Sequence, residues 1–365
     1  MIVIPLHIRS LKPYTPGKPI EDLKREKNIK QIVKLASNEN PLGPSPKAIA
    51  ALQKGLTHLH LYPNAQSPTL RQALADKLAK KPEQIICGSG IDSLLGTIIN
   101  TFSEPGDEVL TSSGSFIGIY VNALKYKRKL NLVPLRQYKF DTNLLIQKIS
   151  PFTRIMYIAN PNNPTGSMLT LHELETFLQQ IPSHILVILD EAYFSFSSIH
   201  PDFPNGLDFE FPNLIVTRTF SKDYGLAGLR IGYAIGPSSL ITELSKVKLP
   251  FEPNALAQIA ARAALEDDSY IDEARHQSQK SLTHMMITFK ELGLSFEKPF
   301  GNFICLKLKT EKQAKTFYEA CLQQGLILRH LTDFGLPHCV RISAGTDSET
   351  DFALDIITKV YKKTI

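Results

Sequence analysis

The stretch Thr219–Arg230, TFSKDYGLAGLR, sets one lysine, Lys222, among small and apolar neighbours. Hydroxyls stand one and three positions before it, at Ser221 and Thr219, and an arginine, Arg230, follows eight positions later. Just upstream, Leu214–Arg218 (LIVTR) has the length and branched composition of a buried strand, so Lys222 falls in a glycine-rich turn at a strand end. A lone lysine is ordinarily a surface residue. Phe220 and the turn argue against that reading here.

Three more islands of this kind lie upstream. Asp190-Glu191-Ala192-Tyr193 follows the very apolar run Ile185–Leu189. A carboxylate closing a buried strand is costly unless it meets a cation or several donors, although a helix N-cap is the plainer explanation. Asn160–Gly166, NPNNPTG, follows the strand-like RIMYIA and reads alone as a tight turn. Gly88–Ser93, GSGIDS, joins a strand to a helix beginning near Leu94. Ser93 stands where the dinucleotide fingerprint has its third glycine, yet backbone N–H groups at a helix N-terminus still suit a phosphate.

Between about Lys47 and Lys248 the chain alternates strand-like runs with helical patterns. The strands are expected at Gln84–Cys87, Glu108–Thr111, Arg154–Ala159, Ile185–Leu189, Leu214–Arg218 and Gly232–Ile235, and the helices include Ser67–Leu78, Leu94–Phe102 and Leu171–Gln180. Such alternation predicts an α/β fold with a mostly parallel sheet covered on both faces, and ligands at the carboxyl ends of its strands. A continuous helical pattern from Asn254 to about Leu292 separates this region from a smaller α+β unit. That unit has strands at Asn302–Lys307, Leu326–Arg329 and Cys339–Ser343 and helices at Lys312–Gln323 and Asp347–Val360. Three segments follow: an N-terminal arm, 1–46, rich in proline; a large domain, 47–250; and an interdomain helix with a small domain, 251–365.

A desolvated lysine, a buried aspartate, a phosphate cradle and an arginine together are what pyridoxal phosphate requires. The lysine forms the Schiff base, and the aspartate keeps the pyridine nitrogen protonated. The hydroxyls, the arginine and the helix N-terminus hold the phosphate.

With these islands, LKPYTPGKP near the start, LASNENPLG, the YPN at Tyr62, GNF and VRISAGT complete a pattern over nearly the whole chain. It resembles the pyridoxal-phosphate enzymes of the aspartate-aminotransferase fold (fold type I), and within them the histidinol-phosphate aminotransferases. The resemblance implies a seven-stranded, mostly parallel sheet between helices and a smaller C-terminal domain. It implies that Lys222 is the Schiff-base lysine and the base of the 1,3-proton shift, that Asp190 pairs with the ring nitrogen, and that Tyr193 and Asn163 face the ring oxygen. Thr219, Ser221, Arg230 and the backbone at Ile91 and Asp92 would take the cofactor phosphate, with Phe116 stacked on the ring. Tyr62 would reach the phosphate of a neighbouring subunit, making the active unit a homodimer. Arg341 with Arg329 would bind the anionic end of the substrate, and Tyr14 and Asn40 lie on segments that close over it. Two positions depart from the family pattern: Gly114 and Ser115 replace its proline and threonine, and no acidic residue follows Asp92.

The implied reaction is transamination of L-histidinol phosphate with 2-oxoglutarate in histidine biosynthesis. An aromatic-amino-acid aminotransferase and a threonine-phosphate decarboxylase of the same fold remain open. The composition agrees with small-molecule chemistry. A net charge of +6, from 41 basic and 35 acidic residues, suits a small anion. Its densest basic run, Lys125, Lys127, Arg128 and Lys129, reads as a solvated loop or helix face and is too narrow for nucleic acid. No apolar stretch is long enough to span a membrane. Four scattered cysteines without C-x-x-C spacing, and no signal peptide, fit a cytoplasmic protein with reduced thiols.

Overall fold

The computed structural model describes residues 2–11, 20–26, 29 and 31–364. Its centre is a seven-stranded sheet. From one edge the order is Ile85–Gly88, Gly232–Ile235, Leu214–Thr219, Leu186–Asp190, Thr153–Ala159, Glu108–Ser112 and Lys129–Val133. Only Gly232–Ile235 runs against its neighbours, so the other six strands point their carboxyl ends the same way. All residues of Leu186–Asp190, Leu214–Thr219 and Gly232–Ile235 are buried, which requires cover on both faces and explains their unbroken apolar runs.

Helices Pro68–Leu78, Ile91–Phe102, Ile117–Lys125, Leu171–Gln179 and Ala255–Ala264 send buried residues into one core with this sheet. A second core joins Val33 and Leu35 to helices Asp268–Glu291, Glu311–Gln323 and Asp347–Thr364. It also takes in a four-stranded sheet ordered Arg329–His330, Cys339–Ser343, Phe303–Lys307, Ser295–Glu297. The architecture is therefore α/β with a smaller C-terminal unit, as expected.

Three details differ from expectation. In the basic run Lys125, Lys127 and Lys129 are exposed as expected, and only Arg128 departs from the solvated face. Lys125 ends a helix, Arg128 is buried with its Nε on the Ser103 hydroxyl at 2.9 Å, and Lys129 opens the seventh strand at the sheet edge. The long helical pattern breaks at 265–267, where the Asp267 carboxylate leaves the helical surface to accept the Ser45 hydroxyl at 2.7 Å. The expected strand Leu326–Arg329 is two short ones. Leu326–Ile327 pairs with Val33–Lys34, and Arg329–His330 turns into the four-stranded sheet. The four cysteines are buried and free, and among the described residues no helix is long and apolar enough to cross a membrane.

The turn carrying Lys222 is pressed against residues 40–44. Gly225 has φ +69°, and a Cβ there would lie 1.9 Å from the Gly43 carbonyl oxygen. Gly293 has a similar φ, +71°, with open space around it. Gly293→Ala should therefore cost about 1 kcal/mol of stability, from left-handed strain alone. Gly225→Ala should cost clearly more, at least about 2 kcal/mol, and displace the Lys222 turn. Denaturant unfolding of the two variants checks the contrast; equal losses would mean that the turn does not depend on this close approach.

Candidate active site

A cavity of about 280 Å³ opens at the carboxyl ends of the parallel strands. The strand ends contribute Ala159, Asp190 and Thr219, and the loops beyond them contribute Asn163, Tyr193, Ser221, Lys222 and Arg230. Ile91 and Asp92 enter from a helix N-terminus, Phe116 from the start of the next helix, and Arg329, Phe334 and Arg341 from the smaller unit. Residues 36–39 close one side.

Asp190 ends its strand almost fully buried. One carboxylate oxygen accepts the Tyr157 hydroxyl at 2.7 Å and the other the Ala192 backbone N–H at 3.0 Å. Burial raises its pKa from 3.8 to about 6, against the pull of these two donors. Such a group gains from a cationic partner in the cavity.

Lys222 Nζ lies 3.1 Å from the Ser37 carbonyl oxygen, to which it donates. Burial lowers the ammonium to about 8; Arg341 and Arg230 repel it further, while Glu39 and Asp92 partly offset them. The lysine can thus lose its proton near neutral pH, as a nucleophile or proton carrier must.

The candidate anion cradle combines backbone at a helix start with the side chains of Thr219, Ser221 and Arg230. Helix Ile91–Phe102 begins at Gly90 with no side-chain cap, and its first residues, Ile91 and Asp92, whose N–H groups have no intrahelical acceptor, line the cavity. Gly90 has φ +84°, and a Cβ there would meet the Arg230 guanidinium at 2.8 Å, so glycine is what lets Arg230 reach the cradle. The Thr219 hydroxyl accepts the Ser221 N–H at 3.0 Å and lies 3.0 Å from the Ser221 hydroxyl, which lines the same corner.

Across the cavity, Arg329 and Arg341 are directly opposite each other on antiparallel strands. Like charges so placed repel unless something intervenes. Phe334 lies under both guanidiniums, 5.6 Å from Arg329 and 5.8 Å from Arg341. Arg341 also donates to the Asn163 Oδ1 and to the Ala36 carbonyl oxygen, and Arg329 pairs with Asp333 at 3.3 Å.

Of the residues singled out in the sequence, Ile91, Asp92, Phe116, Asn163, Asp190, Tyr193, Thr219, Ser221, Lys222, Arg230, Arg329 and Arg341 meet in this one cavity. Asn40 does not line it: its amide is turned to the Asp223 carbonyl oxygen, 2.8 Å away, and fixes the backbone next to Lys222. Tyr62 is exposed and stacks on Phe251 with ring centroids 4.4 Å apart, away from this cavity. Tyr14 lies outside the described residues. Two buried residues here, Tyr157 and Asn38, carry no local functional signal, although Asn38 lies within the quoted LASNENPLG. Tyr157 hides in an apolar strand, where its ring reads as core, and Asn38 reads as an ordinary turn residue.

These groups fit pyridoxal phosphate. Lys222 would take the aldehyde and Asp190 the ring nitrogen, and the cradle of Ile91, Asp92, Thr219, Ser221 and Arg230 would take the phosphate.

Comparison with known proteins agrees. The family profile "Aminotransferase class I and II" matches residues 30–357. A histidinol-phosphate aminotransferase of Moorella thermoacetica is 38% identical over 347 residues, covering 94% of this chain and 89% of that protein. One of Caldicellulosiruptor saccharolyticus is 40% identical over 345 residues, covering 94% and 95%. The solved structure of a histidinol-phosphate aminotransferase from Sinorhizobium meliloti in complex with pyridoxal-5'-phosphate superposes with a TM-score of 0.92 at 28% identity, covering 99% and 98%. A single mutant of Thermus thermophilus aspartate aminotransferase, with a TM-score of 0.87 at 22% identity, shares the fold.

The raised pKa of Asp190 has a consequence for the apoprotein. A carboxyl whose folded pKa exceeds its unfolded one favours folding most at low pH, and the benefit is lost as pH rises from about 4 through about 6. Asp190→Asn removes that loss, so the apo variant should be more stable than the wild type above pH 6, by about 2 kcal/mol. The gain should fade toward pH 4. Melting curves across this range check it; a variant less stable than wild type at pH 8 would show that the buried carboxylate is already compensated.

Proposed function

The chain belongs to the aminotransferase class I and II family, and we propose that it transfers the amino group of L-histidinol phosphate to 2-oxoglutarate, giving imidazole-acetol phosphate and L-glutamate in histidine biosynthesis. Pyridoxal phosphate, held at Lys222, supplies an electron sink for the carbon that carries the amino group. The protein's residues do the rest. Asp190 holds a proton at the ring nitrogen. Tyr193 and Asn163, which line the cavity, would hold the ring oxygen, and Phe116 would cover the ring. Lys222, its ammonium pushed down to about 8, would take up the proton that leaves the substrate carbon and return it in the reverse half-reaction.

The observation that carries the donor assignment is the directly opposed pair Arg329 and Arg341 on the cavity wall. A dianionic phosphate between two guanidiniums relieves their repulsion and gains charge-assisted hydrogen bonds. Histidinol phosphate offers such a group, and the two carboxylates of 2-oxoglutarate can use the same forks in the second half-reaction. The curated relatives named for this activity support the reading.

We also propose a homodimer in which Tyr62 serves the partner's cofactor phosphate. Tyr62 and Phe251 stack with both rings exposed, and Leu59, Leu61 and Leu249 beside them in sequence are exposed as well, an apolar surface suited to a second copy. The division into arm 1–46, large domain 47–250 and small domain 251–365 belongs to the same reading. So does a cytoplasmic location, supported by the four free thiols.

Arg329→Ala should lower kcat/KM for histidinol phosphate about 10- to 100-fold, the loss of one or two charge-assisted contacts. It should lower kcat/KM for phenylalanine much less, because a single carboxylate can stay on Arg341. Arg341→Ala should impair both donors. Steady-state kinetics with 2-oxoglutarate as acceptor decide the matter. Equal losses for the two donors in Arg329→Ala would make Arg329 structural, and a wild-type preference for phenylalanine or tyrosine would make the enzyme an aromatic aminotransferase.

A further inference from the structure

Asn38 occupies an unusual position. It is buried, has φ +54° although it is not glycine, and connects three parts of the molecule. Its backbone N–H donates to the Ser343 hydroxyl at 2.8 Å, and that hydroxyl donates back to Asn38 Oδ1 at 2.8 Å. The amide is oriented with Oδ1 toward the Ser343 hydroxyl. Nδ2 is left to donate to the Tyr193 hydroxyl oxygen at 2.8 Å. The Asn38 carbonyl oxygen accepts Asn302 Nδ2 at 3.2 Å. Its neighbours are held too: the Ala36 carbonyl oxygen accepts from Arg341 at 2.7 Å and the Ser37 carbonyl oxygen from Lys222 at 3.1 Å.

A phenolic hydroxyl can accept one hydrogen bond and donate another. With its oxygen occupied by Asn38, the Tyr193 proton turns away from the amide, toward the cavity that both residues line. We propose that Asn38 is a positioning residue: it orients the Tyr193 hydroxyl as a donor to the ring oxygen of the cofactor, and so couples the N-terminal segment to the electronics of the site. This inference rests on the reading of the cavity as a pyridoxal-phosphate site.

The test uses the holoenzyme and reads the pH titration of the visible absorbance of the Lys222-bound cofactor. A donor to the ring oxygen favours the more basic form, so weakening it raises the apparent pKa of the chromophore. Asn38→Gly keeps the left-handed backbone open and removes the amide. It should raise the apparent pKa by on the order of half to one pH unit. Asn38→Asp keeps the bond from Ser343 but offers Tyr193 an acceptor, which draws the proton off the ring oxygen, so the rise should be larger. The charged groups facing this corner stay in place in both variants: Arg341, Asp190, Glu39, Asp92 and Arg230.

The same substitutions in a Tyr193→Phe background separate orientation from bulk effects. With Tyr193 absent, Asn38→Gly should shift the titration by less than about 0.2 unit, and Asn38→Asp by less than it does with Tyr193 present. Equal shifts in the two backgrounds, or none in either, would overturn the proposal. Should Asn38→Gly not fold, the isosteric Asn38→Asp in the two backgrounds decides alone. A wild-type protein that takes up no visible cofactor would overturn both this inference and the reading beneath it. Normal uptake with a Tyr193-independent shift overturns only this one.

Discussion

A sheet of parallel apolar strands, buried on both faces, can place polar side chains in only a few positions, and its carboxyl edge is the chief of them. Here that edge holds an acid and a base that burial drives toward each other's range. Asp190 rises to about 6 and Lys222 falls to about 8. Neither is fully compensated by the protein. Much of the rest of the structure can be understood as holding this pair in place. Tyr157 and the Ala192 N–H grip the carboxylate, the Ser37 carbonyl holds the ammonium, and the close approach of Gly225 to Gly43 fixes the turn between strand and arm. Burying these two groups gives up stability, and each would gain from an oppositely matched partner in the cavity: a cation beside Asp190 and an electrophile beside Lys222.

The second constraint comes from the smaller unit. Register places Arg341 opposite Arg329, so two guanidiniums face one cavity from adjacent strands. Phe334 beneath them and the contacts of Arg341 with Ala36 and Asn163 spread the strain over three segments. Residues 36–39 line the same cavity and accept from both Arg341, at Ala36, and Lys222, at Ser37, so the arginine pair and the lysine share one wall.

The sequence revealed most where local chemistry is decisive. Lys222, Asp190 and the Gly88–Ser93 loop follow strands whose apolar runs are unmistakable, and each is where strand polarity predicts a ligand. Arg329 and Arg341 were legible through the resemblance, but their face-to-face pairing is a matter of register, which no local pattern encodes. Lys129–Val133 escaped notice because an edge strand need not be apolar, and its polar opening Lys-Leu-Asn reads as loop. Tyr157 was invisible for the opposite reason: a tyrosine inside RIMYIA reads as core until its hydroxyl is seen on Asp190. The importance of Asn38 depends on contacts with residues 155 and 305 positions away in the chain, beyond any window of sequence.

Every role proposed for the cavity depends on Lys222 holding the cofactor. Reconstituting the apoprotein with pyridoxal phosphate, reducing with borohydride and mapping the modified peptide by mass spectrometry tests this directly. A stoichiometric phosphopyridoxyl adduct is expected on the peptide containing Lys222, with no such adduct in Lys222→Ala. Modification of a different lysine, or an adduct that persists in Lys222→Ala, would contradict that role of Lys222.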